Sequence, residues 1–135
     1  MRVFVDANLL VYLNVGLPAE EAELLHSFWA QLLKSHDLYT NVLVLDETLY
    51  VSRRRYGVPY EATIEFIDRA VIPFVELLPL GLEEYAAARR YIEVNGLKPS
   101  DALHAATVEV HKLHAIASED RDFDKAGLKR LWLET

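Results

Sequence analysis

Short apolar runs alternate with helix-patterned stretches along this whole chain, and that alternation restricts the fold more than any single residue does. The runs are Arg2 to Asp6, Leu38 to Thr40, Phe74 to Leu78, His114 to Ser118 and Arg130 to Leu133. Each has the length of one buried strand. Between them, Leu24, Leu25, Phe28, Trp29, Leu32 and Leu33 recur at helical spacing within Glu20 to Ser35, forming one apolar stripe. Leu9 to Val15, Asn41 to Tyr56, Glu61 to Val71, Leu82 to Val94 and Pro99 to Lys112 complete the helical set, and Phe123 to Ala126 reads as a helical turn. The punctuation agrees. Asn41 suits a helix cap, Asn95-Gly96 suits a helix end, and Pro99 suits a helix start. Strands joined through helices run parallel, so the chain predicts an α/β fold. It has a mostly parallel central sheet of about four to five strands with helices on both faces. With 135 residues and no repeat or linker, we expect one domain over residues 1–135.

In an open parallel sheet, ligands gather beyond the carboxyl ends of the strands. Acids stand at such places here. Asp6 ends the first run and Asp120 follows the fourth, while Asp101 falls in the first turn of a helix, where the dipole favours it. Glu47 falls inside a helix, about one turn past its start. Its rival is Asp46, 100° away around the helix, so only one of the two faces a given site easily. Carboxylates converging from four segments repel one another unless a cation lies between them. Mg²⁺ and Mn²⁺ are hard ions that take oxygen ligands. Each acid also has an ordinary structural explanation: Asp6 as the cap of the next turn, Asp101 as a helix acid paired with Lys98, Asp120 as a turn residue. His104 reads as a satisfied or exposed helix residue, with substrate contact as the alternative. His111 and His114 read as surface residues, and no acid-linked His pair suggests a histidine metal site.

Composition removes several functions. Cysteine is absent, which excludes disulfides and thiolate metal sites. No apolar run approaches the ~18 residues of a membrane span, and the N-terminus lacks a signal-peptide layout, so a cytoplasmic, membrane-free protein is expected. The net charge of −7 argues against a broad, non-specific nucleic-acid binder, but not against a nuclease whose acids are neutralised by metal. Arg53, Arg54 and Arg55 form the only basic triplet and read as a solvated helix face. Tyr12, Trp29 and Tyr56 are able to stack on bases, but core or partner packing is the simpler reading.

Val5-Asp6-Ala7-Asn8, the Glu47 helix, Ser100 to Thr107 and Ser118-Glu119-Asp120-Arg121-Asp122-Phe123 together resemble the PIN domain, and within it the VapC-like toxins. The resemblance covers nearly the whole chain in the right order. It implies an Mg²⁺- or Mn²⁺-dependent endoribonuclease, a toxin paired with a small antitoxin protein, and a homodimer. Carried over by position, Asp6, Glu47, Asp101 and Asp120 are the catalytic, metal-binding acids. Asn8 and Ser118 stand where small polar residues orient a carboxylate or a water. Asp122 competes with Asp120 for the fourth acid position, and Asp120 is preferred. Glu119 departs from the family's usual Asn and adds charge. The resemblance also implies RNA hydrolysis through one ion or two, leaving 3′-hydroxyl ends, and a partner arginine able to enter the acid cluster.

Two other phosphoryl-transfer folds fit less well. A receiver domain wants an Asp at the end of its third strand, and Phe74 to Leu78 ends in none. A haloacid-dehalogenase-like phosphatase wants a second Asp where Asn8 stands. The non-enzymatic alternative is a catalytically silent PIN-like module for RNA or protein binding, in which the acids are structural.

Overall fold

The computed structural model describes residues 1–133. Five parallel strands form one sheet in the order β3-β2-β1-β4-β5: β1 Arg2–Val5, β2 Asp37–Asn41, β3 Glu76–Leu78, β4 Ala115–Ala117 and β5 Arg130–Leu131. Six α-helices connect or cover them: α1 Ala7–Asn14, α2 Ala19–Ser35, α3 Val42–Tyr56, α4 Tyr60–Phe66, α5 Leu82–Glu93 and α6 Pro99–Val110. The alternation of apolar runs and helical stretches thus folds into the expected parallel α/β sheet.

β1 sits at the centre because it is apolar on both faces. Val3, Phe4 and Val5 are all fully buried, with Phe4 level with Tyr39 of β2 and Ile116 of β4. Each such side chain contributes roughly 1.5–3 kcal/mol of burial. From β1 the chain moves outward to β2 and β3, then returns to the other side of β1 for β4. The strand order therefore reverses between β1 and β4, and a crevice opens there at the carboxyl edge. Asp6 follows β1 at that edge, and Ser118 follows β4.

The helices are held by side chains as well as by packing. Asn41 ends β2 and caps α3, its Oδ1 accepting from Val44 N at 3.0 Å. Gly57 closes α3 in the left-handed region, φ 70°, which a Cβ would disfavour. Asn14 Nδ2 donates to Ser52 Oγ (3.0 Å) and Thr63 Oγ1 (2.8 Å), tying α1 to α3 and α4. Ala102, Ala105 and Ala106 are fully buried, so α6 packs against its neighbours with small side chains.

Three local departures have clear causes. The expected helix from Glu61 to Val71 becomes α4 followed by a wide π-helical turn, Ile67–Val71, closed by Ile72 N to Ile67 O at 2.9 Å. That turn keeps both Ile67 and Val71 in the core before Pro73. β3 starts at Glu76 instead of Phe74, because the amides of Phe74 and Val75 both bond back to the Val71 carbonyl at 3.0 Å and are lost to strand pairing. His114 is exposed, as expected, while His111 is half-buried, and both have partners. His111 Nε2 lies 3.2 Å from the buried Glu84 carboxylate, and His114 Nδ1 accepts from Arg2 N at 3.0 Å.

Candidate active site

Asp6 is placed by the strand-to-helix transition. It caps α1, with Oδ1 accepting from Ala7 N at 2.8 Å. Oδ2 accepts from Ser118 Oγ at 2.6 Å and, more weakly, from Asn8 Nδ2 at 3.4 Å. Ser118 Oγ in turn accepts from Asn8 Nδ2 (3.1 Å) and Asp120 N (3.0 Å), while Asn8 Oδ1 accepts from Glu119 N at 3.3 Å. One hydroxyl therefore stitches the end of β4 to the end of β1. Asp6 is 6% exposed. Burial drives its pKa above the ordinary 3.8, aided by Glu47, while His104 and the donors from Ser118 and Ala7 work against the rise.

Glu47 comes from the side. α3 starts at the end of β2 and runs past the crevice, so Glu47, Val51 and Arg55 all line it. Asp46 faces the other way, into a shallow groove with Leu45, Leu49 and Ile64. Glu47 Oε1 lies 2.5 Å from His104 Nε2, and Asp6 Oδ1 lies 3.9 Å from the same nitrogen. His104 is fully buried. Burial pushes its pKa down, but the hydrogen bond to Glu47 and the charges of Asp6, Glu47 and Asp101 outweigh this and hold it above 6.5.

Asp101 stands in the first turn of α6, and Asp120 immediately follows β4 as the cap of the 3₁₀ turn Arg121–Ala126, its Oδ1 accepting from Asp122 N at 2.9 Å. Among the described residues no protein group donates to the Asp101 carboxylate, and Lys98 does not pair with it. Burial, then the charges of Asp120, Asp6 and Glu47, push the Asp101 pKa up to about 6.

Asp6, Glu47, Asp101 and Asp120 line one cavity of about 270 Å³ at the carboxyl edge of the sheet. Around it, ligand atoms of Asp6, Glu47 and His104 lie within 4.8 Å of one another, as do those of Asp101, Asp120 and Asp122. Asp122 also pairs with Lys125 at 3.3 Å and does not line the cavity. Arg55 is the one cation among the residues lining it, with Tyr12 and Tyr56 beside it. Tyr12 donates to Glu119 at 2.6 Å. An oxygen-rich, carboxylate-dominated cavity with a single basic residue has the donor chemistry of a hard divalent cation and not of a soft one.

Sequence reasoning missed three residues. His104 reads as ordinary because its partner Glu47 is 57 residues away. Asn41 reads only as a helix cap. Arg55 is hidden in a basic triplet of which it alone reaches the cavity.

The family model for the PIN domain matches residues 3–129. The chain belongs to the PIN domain family. No curated protein matches it in sequence. Solved structures share the fold of this PIN domain at low identity. The Mycobacterium tuberculosis toxin VapC20, described as cleaving the sarcin-ricin loop, superposes with a TM-score of 0.74 at 20% identity, covering 93% of this chain and 95% of that one. FitAcB from Neisseria gonorrhoeae gives 0.72 at 22% identity, covering 96% of each chain. VapBC2 from Rickettsia felis, bound to a DNA fragment from its promoter, gives 0.71 at 16% identity, covering 99% and 100%. Among the described residues no helix is long and apolar enough to cross a membrane.

Proposed function

We propose that this PIN domain is an endoribonuclease that hydrolyses RNA phosphodiesters with Mg²⁺ or Mn²⁺ and acts in the cytoplasm as the toxin of a toxin–antitoxin pair. The observation that carries the reading is the convergence of Asp6, Glu47, Asp101 and Asp120, from four separate segments, on one cavity at the switch point of the sheet. Burial and the neighbouring carboxylates of Asp120, Asp6 and Glu47 raise the Asp101 pKa to about 6, the electrostatic setting that a bound cation would relieve. The four acids would hold the metal, with Asp120 preferred to Asp122 because Asp120 lines the cavity. When bound, the metal neutralises the phosphodiester and makes water more acidic.

The chain's own residues supply the rest. Ser118 and Asn8 hold Asp6 in place before any ligand arrives, which lowers the cost of ordering the site. A carboxylate of the cluster left free of the metal would accept the proton of an attacking water. Arg55 offers a fork for a neighbouring phosphate, and Tyr12 and Tyr56 offer faces for a base. Attack by water instead of the ribose 2′-hydroxyl leaves 5′-phosphate and 3′-hydroxyl ends.

VapC20's description as a loop-cleaving toxin supports RNA as the substrate class. The VapBC neighbours support an antitoxin partner. Its seat would be the apolar groove of Leu17, Leu24, Leu25, Tyr56, Trp132 and Leu133, which shares Tyr12 and Tyr56 with the acid cavity. A partner arginine reaching from there meets carboxylates that match its fork. We assign homodimer formation to the apolar groove of α3 and α4, where Val42 and Ile64 are exposed.

End-labelled RNA incubated with the protein in EDTA, Mg²⁺ and Mn²⁺ tests the reading. Cleavage only with metal, yielding 3′-hydroxyl ends, is expected. Cleavage in EDTA, or 2′,3′-cyclic phosphate ends, refutes it.

A further inference from the structure

We propose that His104 is a positioning residue, which donates from Nε2 to Glu47 and holds one of its oxygens, and that Asn41 bars His104 from acting as a metal ligand. The inference rests on the nuclease reading above and names the device that orients its Glu47.

Both ring nitrogens of His104 have partners in the interior. Nε2 lies 2.5 Å from Glu47 Oε1, and Nδ1 lies 3.3 Å from Asn41 Nδ2. Phe4 packs on the ring, centroids 5.3 Å apart and tilted by 36°. The decisive residue is Asn41, whose amide cannot turn over without loss. Its Oδ1 accepts from Val44 N at 3.0 Å, capping α3. Its Nδ2 donates to Thr107 Oγ1 at 3.1 Å, and that hydroxyl spends its own proton on the Leu103 carbonyl at 2.9 Å. The two bonds fix the same orientation, and it presents an N–H to Nδ1. A ring nitrogen facing an N–H has to offer its lone pair, so the imidazole proton sits on Nε2 and points at Glu47. A second proton could go only to Nδ1, against the Asn41 N–H, so these contacts favour the neutral ring with its proton on Nε2.

A metal at Nε2 requires the opposite tautomer. The proton would move to Nδ1 and meet the Asn41 amide, breaking either that contact or the cap of α3. Asp6, Glu47 and His104 are close enough to surround an ion. Of the three, only the carboxylates have lone pairs to give. Glu47 is a long side chain on a helix face, and the imidazole bond at Oε1 leaves Oε2 for the cavity. The same cap that starts α3 one turn before Glu47 thus also sets the tautomer of the ring that holds Glu47.

The test uses the full chain labelled with ¹⁵N-histidine, in EDTA and in saturating Mg²⁺, together with H104Q and H104F. We expect a proton on Nε2 of His104, seen by its one-bond coupling, in both conditions. Loss of that proton on adding Mg²⁺, or a proton found on Nδ1 alone, overturns the proposal. Gln can offer an N–H near the position of Nε2, so H104Q should keep Mn²⁺ binding in calorimetry and most of kcat. H104F should lose kcat by about tenfold or more, the usual effect of removing a group that orients a ligand, with little change in KM. Wild-type kcat in H104F, or loss of Mn²⁺ binding in H104Q, also overturns it. If H104F does not fold, H104Q and the spectrum decide. A wild type that binds no Mn²⁺ and cuts no RNA refutes the nuclease reading, and the spectrum still tests the His104–Glu47 bond separately.

Discussion

The two sides of the acid cavity are built on different principles. At the β1–β4 corner, Asp6 receives hydrogen bonds from Ala7 N, Ser118 Oγ and Asn8 Nδ2, and its position is fixed by the protein. Across the cavity, Asp101 receives none among the described residues and faces the charges of Asp120, Asp6 and Glu47, which with burial lift its pKa to about 6. One carboxylate is held by donors. The other receives no hydrogen bond among the described residues and stands against repulsion that His104 only partly offsets. The asymmetry suggests a division of labour in which the Asp6 corner provides a fixed reference point and the Asp101 side adjusts to what binds. Sites of this kind cost stability for the sake of function.

The largest expected effect is one in which the two sides behave alike. Asp6→Asn and Asp101→Asn should each reduce Mn²⁺-dependent RNA cleavage by about a thousandfold or more, as when one member of a catalytic unit is lost. Glu47→Gln should do the same, while Asp46→Asn, facing the α3–α4 groove, should keep most activity. An Asp101→Asn variant within tenfold of wild type would break the comparison, since the unbalanced side would then have no part in the reaction.

The second effect separates the sides. Ser118→Ala removes the hydroxyl that serves Asp6, Asn8 and Asp120 N together. Denaturant melts in EDTA should show a loss of about 1–3 kcal/mol, the cost of leaving buried polar groups unpaired. Asp101→Asn in the same buffer should be as stable as wild type or more so. If Ser118→Ala were neutral, the claim of a fixed corner would fail.

Acidity should reveal the same division. The Asp101 pKa is about 6 in the folded chain against an ordinary 3.8, and the folded form therefore takes up the proton first. Stability in EDTA should rise as the pH falls from 7.5 through 6, and the gain should level off near the ordinary value. Asp101→Asn should flatten the pH dependence of the melting temperature between 7.5 and 5.5. An equally steep dependence in the variant would place the effect elsewhere.

Much of this was legible in the chain, and the parts that were not share a cause. Five apolar runs and their helical spacers specify a parallel sheet because strand length and helical period are local properties. Asp6 and Asp120 stand out because each follows a strand at the edge where a parallel sheet binds ligands, and Asp101 because it opens a helix, whereas Glu47 lies inside α3 and is marked by no such position. What the sequence hid is relational. Ser52 and Thr63 are unremarkable until Asn14 bridges them, and His104 is an ordinary helix residue until α3 brings Glu47 to it. The amides of Phe74 and Val75 look ready for a strand, but the Val71 carbonyl takes both. Periodicity reports which face of an element is buried, and it carries no record of which polar groups meet across the core.

The smallest expected effect concerns the cavity wall instead of its floor. Glu47, Val51 and Arg55 are spaced by four residues on α3 and all line the cavity, which sets Arg55 about 12 Å along the helix axis from Glu47 at 1.5 Å per residue. With its backbone that far along the wall, Arg55 is expected to serve a phosphate flanking the scissile one. Arg55→Ala should therefore raise KM severalfold and leave kcat nearly unchanged, because the lost contact is made equally in ground state and transition state. Losing one phosphate contact should also lower the slope of log affinity against log salt by about 0.7 for single-stranded RNA. Arg54→Ala is the control, since Arg54 does not line the cavity. Neither change should move the melting temperature beyond the range of about 0.5 kcal/mol typical of surface substitutions. Equal effects from Arg54 and Arg55 would mean that the triplet acts as diffuse charge, and a fall in kcat would place Arg55 at the reacting phosphate and extend the catalytic region along the wall.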